Sequence, residues 1–115
     1  MGFPLTHEML IATYELLRQT PPFKGWKLPP ADEVSFHVAR SKDRCGDHVY
    51  ENEHIIRISY AKHRTLRTLT ETMAHEMCHM REFELGARAD VAHGAAFKKL
   101  AKTVCRYHNF DEGAF

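Results

Sequence analysis

The sequence predicts an α+β fold, in which one helix, a small sheet and two further helices follow one another along the chain. Three observations predict it: an early proline-rich break, an alternation of apolar and polar residues in the middle of the chain, and a change to a 3.6-residue apolar period after about residue 65. The chain has 115 residues, a typical size for one domain, so we expect a single domain over residues 1–115.

The first helix is predicted to start after Thr6, a residue type that caps helix N-termini, and to run to about Arg18. Its apolar residues recur at helical spacing: Met9, Leu10, Leu16 and Leu17. The two prolines at 21 and 22 end it, because proline cannot continue the helical hydrogen-bond ladder. Residues 20–30 contain four prolines and a glycine, which is typical of a connection.

The middle of the chain has the pattern of strands. Val34, Phe36 and Val38 alternate with less apolar residues, and two further apolar runs follow at 49–50 and 55–58. Residues 43–47, which include Gly46, are predicted to form a turn. Because the connections are too short for crossovers, we expect a small, mainly antiparallel sheet of about three strands.

Two helices are predicted in the last third of the chain. The first runs from about Thr65 to Phe83, with Gly86 as its stop, and the second from about Gly94 to Tyr107. One narrow stripe of the first helix is apolar and should face the core: Leu66, Leu69, Met73, Met77 and Met80. The expected buried face of the second helix comprises Phe97, Leu100, Ala101, Val104 and Cys105.

Residues 75–79 form an HExxH motif on the first of these helices. His75 and His79 lie one turn apart, so their ring nitrogens can converge on one metal ion about 2 Å from each. Glu76 projects about 100° away, where it can act as general base on a metal-activated water without being a ligand. The pattern predicts a zinc metallopeptidase of the zincin type, with two helices framing a metal cleft. Cys78, between the ligands in sequence, is interpreted as a small packing residue.

A catalytic zinc needs three protein ligands and one open position, so a third ligand is required. Glu82 and Leu85 stand where a metzincin would have glycine and histidine, and no carboxylate lies between Ala95 and Phe110 to serve as a gluzincin ligand. His93, which lies 14 residues after His79, is the favoured candidate. Two carboxylates remain alternatives, at Glu84 and Asp90.

The residues around this motif resemble a known family, the SprT-like or Spartan-type zinc metalloproteases. The most specific part is HExxH followed by His93-Gly94-x-x-Phe97. Upstream features fall in the same order: Trp26-x-Leu28-Pro29, the strand at 34–38, Cys45-Gly46 and Ile56-Arg57-Ile58-Ser59. The resemblance covers about residues 10–110 and is to the protease core only; many relatives also carry a cysteine-rich zinc-binding segment after this core.

The resemblance implies that zinc is held by His75, His79 and His93, with Glu76 as the catalytic glutamate. It also implies cleavage of proteins that are covalently trapped on DNA, a role in DNA repair. We therefore expect a protein or peptide substrate. The alternative is a non-catalytic, zinc-stabilised module that binds nucleic acid or protein, although a purely structural site would have no use for Glu76.

The net charge is only +1, so the global charge does not indicate DNA binding. The prediction of DNA binding therefore depends on local clusters of basic residues. A stripe on the last helix predicts weak, non-specific binding to DNA: Lys98, Lys99, Lys102 and Arg106. A second cluster precedes the HExxH helix: Lys62, His63, Arg64 and Arg67. The residues single out no oxyanion donor, and the candidates remain Tyr60, His63 and Tyr107. Nor do they show which strand is the edge that would receive an extended substrate.

Composition excludes several other classes. The three cysteines form no CxxC pair, which argues against a disulfide framework and fits a reducing compartment. No apolar run approaches the roughly 20 residues of a membrane span, and the first ten residues do not form a secretion signal. We expect a cytoplasmic protein with no membrane contact, and association with the nucleoid is compatible with this location.

Overall fold

The computed structural model describes residues 5–60, 65–86, 93–113 and 115. Within these residues the chain forms four α-helices and a three-stranded sheet, so the α+β prediction is confirmed. The elements, in chain order, are α1 (His7–Arg18), α2 (Phe23–Trp26), a 3-10 turn (Ala31–Glu33), β1 (Val34–Ala39), β2 (Gly46–Tyr50), β3 (His54–Ser59), α3 (Leu66–Glu84) and α4 (Ala95–His108).

Helix α1 begins and ends as predicted. The Thr6 hydroxyl accepts a hydrogen bond from the Met9 backbone N–H at 3.2 Å, which satisfies one of the unpaired donors of the first turn. The helix buries Leu10, Tyr14 and Leu17 in the core, whereas Leu16, expected on the same face, is 61% exposed. The proline-rich connection that follows contains the short helix α2.

The sheet is mixed, with strand order β1-β3-β2. Strand β2 pairs antiparallel with β3, but β1 pairs parallel with β3, with Val34 opposite His54. The expectation of a mainly antiparallel sheet is therefore wrong for the β1–β3 pair. A parallel pair needs a connection that returns the chain to the start of the sheet. Here β2 runs in the opposite direction and is itself that return, so the connections on either side of it can be short. Strand β3 then lies between β1 and β2.

Strand β2 begins at Gly46, inside the segment predicted to be a turn. A Cβ atom at position 46 would lie 2.7 Å from the Arg57 carbonyl oxygen on β3 and 3.2 Å from the Thr72 methyl group on α3. Only glycine fits this gap without a shift of its neighbours. Gly46 thus allows β2 to lie close against the HExxH helix.

Helix α3 has a capping box in which the side chains of Thr65 and Thr68 bond each other's backbone N–H groups. The predicted stripe is fully buried over three turns, at Leu69, Met73, Met77 and Met80. Leu66 is 51% exposed, so its assignment to the core is wrong; the whole first turn of the helix is exposed. Beyond the last turn, Gly86 has a φ of 75°, the left-handed conformation expected of a helix stop.

Helix α3 lies at the centre of the fold, in contact with α1, α4, β2 and β3. Phe97, Val104 and Cys105 form the buried face of α4, while Leu100 and Ala101, predicted to join them, are only partly buried. Cys78 is fully buried between the ligands of the HExxH motif, in agreement with its interpretation as a packing residue. None of the helices in the described ranges has the length and apolar character needed to cross a membrane.

Candidate metal centre

Three histidines meet beside the middle of α3, two from this helix and one from outside it. His75 and His79 lie on successive turns of this helix, and His93 lies just before Gly94, the N-cap of α4. The ring centroids are 5.1 Å apart for His75–His79, 4.9 Å for His75–His93 and 5.1 Å for His79–His93. One nitrogen from each ring lies within 4.8 Å of the other two, so the group can hold a metal ion.

Hydrogen bonds orient two of these rings. The Nδ1 atom of His75 is 2.7 Å from the Phe115 carbonyl oxygen, and Nδ1 of His79 is 3.0 Å from a Glu82 carboxylate oxygen. Because these oxygens are acceptors, both Nδ1 atoms carry the hydrogen, and the Nε2 lone pairs remain for a metal. A carboxylate or carbonyl behind each imidazole is the usual outer shell of a zinc site.

The nitrogen spacing agrees with a tetrahedral ion. The Nε2 atoms of His75 and His93 are 3.1 Å apart. Two nitrogens that bind one zinc at about 2.0–2.1 Å in tetrahedral geometry lie roughly 3.3 Å from each other. The donor set, three imidazoles with a fourth position left over, is the set of several catalytic zinc sites.

Burial keeps the imidazoles of His75 and His79 neutral, which is the form that binds metal. The pKa of His75 is lowered to about 4, mainly by desolvation and also by the neighbouring His79, against the raising effect of the Phe115 hydrogen bond. Desolvation also lowers the pKa of His79, although its bond to Glu82 opposes the shift. The site is thus ready for a cation at neutral pH without first releasing protons from His75.

Phe97 supports all three rings from the first turn of α4. Its ring is stacked on His79 at 4.4 Å and lies 4.8 Å from His75 and 4.7 Å from His93. The side chain is only 4% exposed. Phe97 was predicted as a core residue, and the structure shows that the histidine cluster rests on this part of the core.

Glu76 is more buried than its predicted place on a helix flank implies, at 3% exposure. Burial and, to a smaller extent, the nearby Asp47 carboxylate raise its pKa to about 8. The residue shares with His75 a cavity of about 200 Å³, whose other walls include Gly46 of β2 and Phe115. Glu76 therefore borders an open space next to His75, one of the three histidines that can hold a metal.

The other candidate residues lie elsewhere. Glu84, an alternative third ligand, is 3.2 Å from His54 Nε2, and His54 Nδ1 is 2.8 Å from His48 Nε2. Tyr60 and Tyr107 are 57% and 58% exposed, and neither borders the cavities around the histidines. Several earlier candidates lie outside the described residues: Asp90, Lys62, His63 and Arg64.

Sequence reasoning missed the two groups that orient the imidazoles. Glu82 could have been found, because a residue three positions after His79 lies on the same helix face. Phe115 had no such signal, since it is 40 positions from His75 and acts through its backbone. The predicted basic stripe is exposed along α4, and its members Lys98 and Lys102 border a second, larger cavity next to the histidines.

Comparison with curated proteins found no match to the chain. Comparison with protein families did find one. The SprT-like family matches over residues 5–112, a range that contains every helix and strand described above, the three histidines and Glu76. Because this match covers nearly the whole length, the chain belongs to the SprT-like family.

Proposed function

We propose that this protein is a zinc-dependent endopeptidase in which His75, His79 and His93 hold the metal. The observation that carries the proposal is the convergence of three imidazoles, two of them oriented by hydrogen bonds, beside the buried Glu76. Membership of the SprT-like family supports a metalloprotease-type function. Zinc fits the donor set better than magnesium or calcium, which prefer oxygen ligands.

The chain's own groups have distinct tasks in this proposal. When bound, zinc supplies Lewis acidity toward water and toward the scissile carbonyl. Glu76 accepts a proton from the attacking water and delivers it to the leaving amine nitrogen. Its burial favours the protonated form, and the positive charge of a bound zinc would favour the ionised form, so the carboxyl is suited to take up and release one proton near neutral pH.

Strand β2 is the proposed site for the substrate backbone. It lies at one edge of the sheet, pairs with β3, and passes the Glu76 cavity at Gly46. An extended peptide can add to such an edge through main-chain hydrogen bonds, which would lay it beside the histidines. This selects β2 over the central β3, whose two sides are both paired.

DNA-bound or DNA-crosslinked proteins are the proposed substrate class. The support is the exposed basic stripe on α4, which begins at Lys98, directly after Phe97. Phosphate contacts from these side chains would hold DNA weakly and without sequence preference, close to the proposed cleavage site. A cytoplasmic, nucleoid-associated location is proposed on the same ground.

A protease assay tests the proposal. The zinc-loaded protein is expected to cleave casein or a DNA-bound protein, with a faster rate when DNA is present and none after chelation. A protein that binds one zinc per chain and DNA but cleaves neither substrate would instead be the non-catalytic binding module. Coordination by four protein ligands, with no open position, would point the same way.

A further inference from the structure

A cavity of about 420 Å³ adjoins the histidine cluster, and Phe115 and His75 border both this cavity and the Glu76 cavity. Its walls come from α4, His93 and the segment that follows α4. The volume is within the range of pockets that enclose a ligand group. Its position beside two metal-binding imidazoles suggests that a substrate fills it when the scissile bond lies at the metal.

Helical spacing explains the two kinds of wall. Phe97, Ala101 and Cys105 follow one another at intervals of four residues, so they form one row along α4. Lys98 and Lys102 form the neighbouring row, one position further along, and both are exposed. The cavity thus has an apolar floor and a basic edge.

Ala101 sets the depth of this cavity. Phe97 and Cys105, before and after it in the row, are 4% and 2% exposed and pack into the core. Between them Ala101 is only partly buried, and its methyl group leaves the space that a longer side chain would occupy. A leucine at position 101 would reach into the cavity rather than into the core.

We infer that this cavity is a specificity pocket that takes a bulky apolar side chain of the substrate, next to the scissile bond, and that Lys98 and Lys102 favour an acidic residue beside it. The inference rests on the proposed protease function. The apolar floor matches an aromatic or large aliphatic side chain. At the edge, two ammonium groups face one carboxylate, Glu112, so the local charge is positive and complements an acidic neighbour.

The test is the cleavage profile of a peptide library, measured without DNA on the zinc-loaded protein. We expect cleavage next to Phe, Leu or Met, with acidic residues enriched nearby. Ala101→Leu should lower cleavage next to these bulky residues about tenfold relative to Ala or Ser, because a few added methylene groups in a pocket change discrimination by about that much. Lys102→Gln should reduce the acidic preference alone.

Ala96→Leu is the matched control, since Ala96 is exposed on the same helix and does not border the cavity. It should leave the profile unchanged. Binding of the same peptides to the Glu76→Gln variant, with and without Ala101→Leu, gives a second measurement that needs no turnover.

The outcomes separate the inference from the proposed function. Cleavage with no preference at the flanking positions, or a profile that Ala101→Leu leaves unchanged, would overturn the pocket while the protease stands. A Lys102→Gln variant that loses DNA affinity but keeps the preference for acidic residues would show that the basic edge contacts DNA phosphate. That result would overturn the proposed role of Lys98 and Lys102 in substrate preference. Absence of both cleavage and peptide binding would overturn the pocket and the protease together.

Discussion

Glu76 and His75 are neighbours in sequence but have opposite relations to the proposed zinc: His75 binds it, and Glu76 works beside it. Glu76→Gln keeps the size of the side chain and removes only the basic oxygen. We expect zinc to stay bound and cleavage to fall at least about 100-fold, the usual scale for loss of a general base. Metal content and cleavage rate, measured on one preparation, check this.

Glu71→Gln provides the control for Glu76→Gln. Glu71 lies on the same helix and borders the same cavity, but it is outside the HExxH motif. It should retain cleavage within a few-fold of the parent. Equal rates in parent and Glu76→Gln would rule out the base assigned here, and loss of zinc from Glu76→Gln would make that residue a ligand.

The third ligand is the second residue-scale prediction. His93→Ala removes one of three nitrogens and should lower zinc affinity by at least two orders of magnitude, measured by competition with a chelator. Glu84→Gln, the alternative from the sequence, should retain zinc because Glu84 is bonded to His54 instead. The reverse result, with zinc kept by His93→Ala and lost by Glu84→Gln, would exchange their roles.

Spacing was enough to nominate His75 and His79, since i,i+4 geometry is a local property, and elimination made His93 the favoured third ligand, with Glu84 and Asp90 as alternatives. The orienting partners were out of reach for a physical reason. The bond from His75 to the Phe115 carbonyl joins residues 40 positions apart, and a backbone oxygen leaves no mark on the sequence. The burial of Glu76 also depends on how closely β2 approaches α3, which only the folded chain shows.

At the scale of elements, the approach of β2 to α3 depends on Gly46. Gly46→Ala places a methyl group 2.7 Å from the Arg57 carbonyl oxygen, so β2 must shift. We expect unfolding free energy to fall by roughly 1–3 kcal/mol, the usual cost of overpacking, and cleavage to fall with it. Gly25→Ala is the control, because nothing lies within 4 Å of its added Cβ. Equal stability of the two variants would contradict this account of the β2–α3 contact.

A second element-scale prediction concerns the link between α1 and the 3-10 turn. Glu15 accepts hydrogen bonds from Arg18 at 2.8 Å and from the Ala31 backbone N–H at 2.7 Å. The bond to Arg18 holds the pKa of Glu15 below its ordinary value of 4.5, against the raising effect of burial. A lowered pKa means that the ionised form stabilises the fold above about pH 4.5, and that this stabilisation is lost as pH falls through the folded-state pKa.

Glu15→Gln should therefore lower unfolding free energy by about 1 kcal/mol at pH 7, and the gap between parent and variant should narrow toward pH 3. Denaturant unfolding at several pH values measures it. Glu33→Gln, an exposed carboxylate in the 3-10 turn itself, should show a much smaller gap at pH 7. A gap for Glu15→Gln that stayed constant between pH 7 and pH 3 would show that its charge is not the cause.

Element boundaries were largely predictable, and the order of the strands was not. Thr6, Thr65 and Gly86 are local signals that act on their own turn of helix, and each holds its predicted place. Pairing between β1 and β3 is set by distant parts of the chain. In this pairing β1 and β3 lie side by side although β2 separates them in sequence. The order of the strands along the chain does not indicate such a pair.

For the whole molecule, a net charge of +1 means that the proposed weak DNA binding would depend on the local basic stripe of α4. With four phosphate contacts, a plot of the logarithm of the binding constant against the logarithm of salt concentration should have a slope near −4. Replacing both Lys99 and Arg106 by Gln leaves two contacts, so the slope should become about −2. These two residues do not border the larger cavity. Fluorescence anisotropy over a salt series measures the slope.

Lys24→Gln with Lys27→Gln is the control for this experiment, since it removes the same charge from the region of α2. It should leave the slope near that of the parent. Binding that was insensitive to salt, or a slope changed equally by both pairs, would remove the α4 stripe as the DNA contact.

The arrival of His93 from outside α3 has one more consequence. An ion shared by His79 and His93 would close a loop of 14 residues, in the way that a disulfide cross-links a chain. A closure of this length reduces the entropy of the unfolded chain by an amount worth about 3 kcal/mol. The tether acts where α4 begins, next to Phe97, so the metal would fasten the last helix to the rest of the protein. A chelator would then remove part of the folding cooperativity together with the Lewis acid.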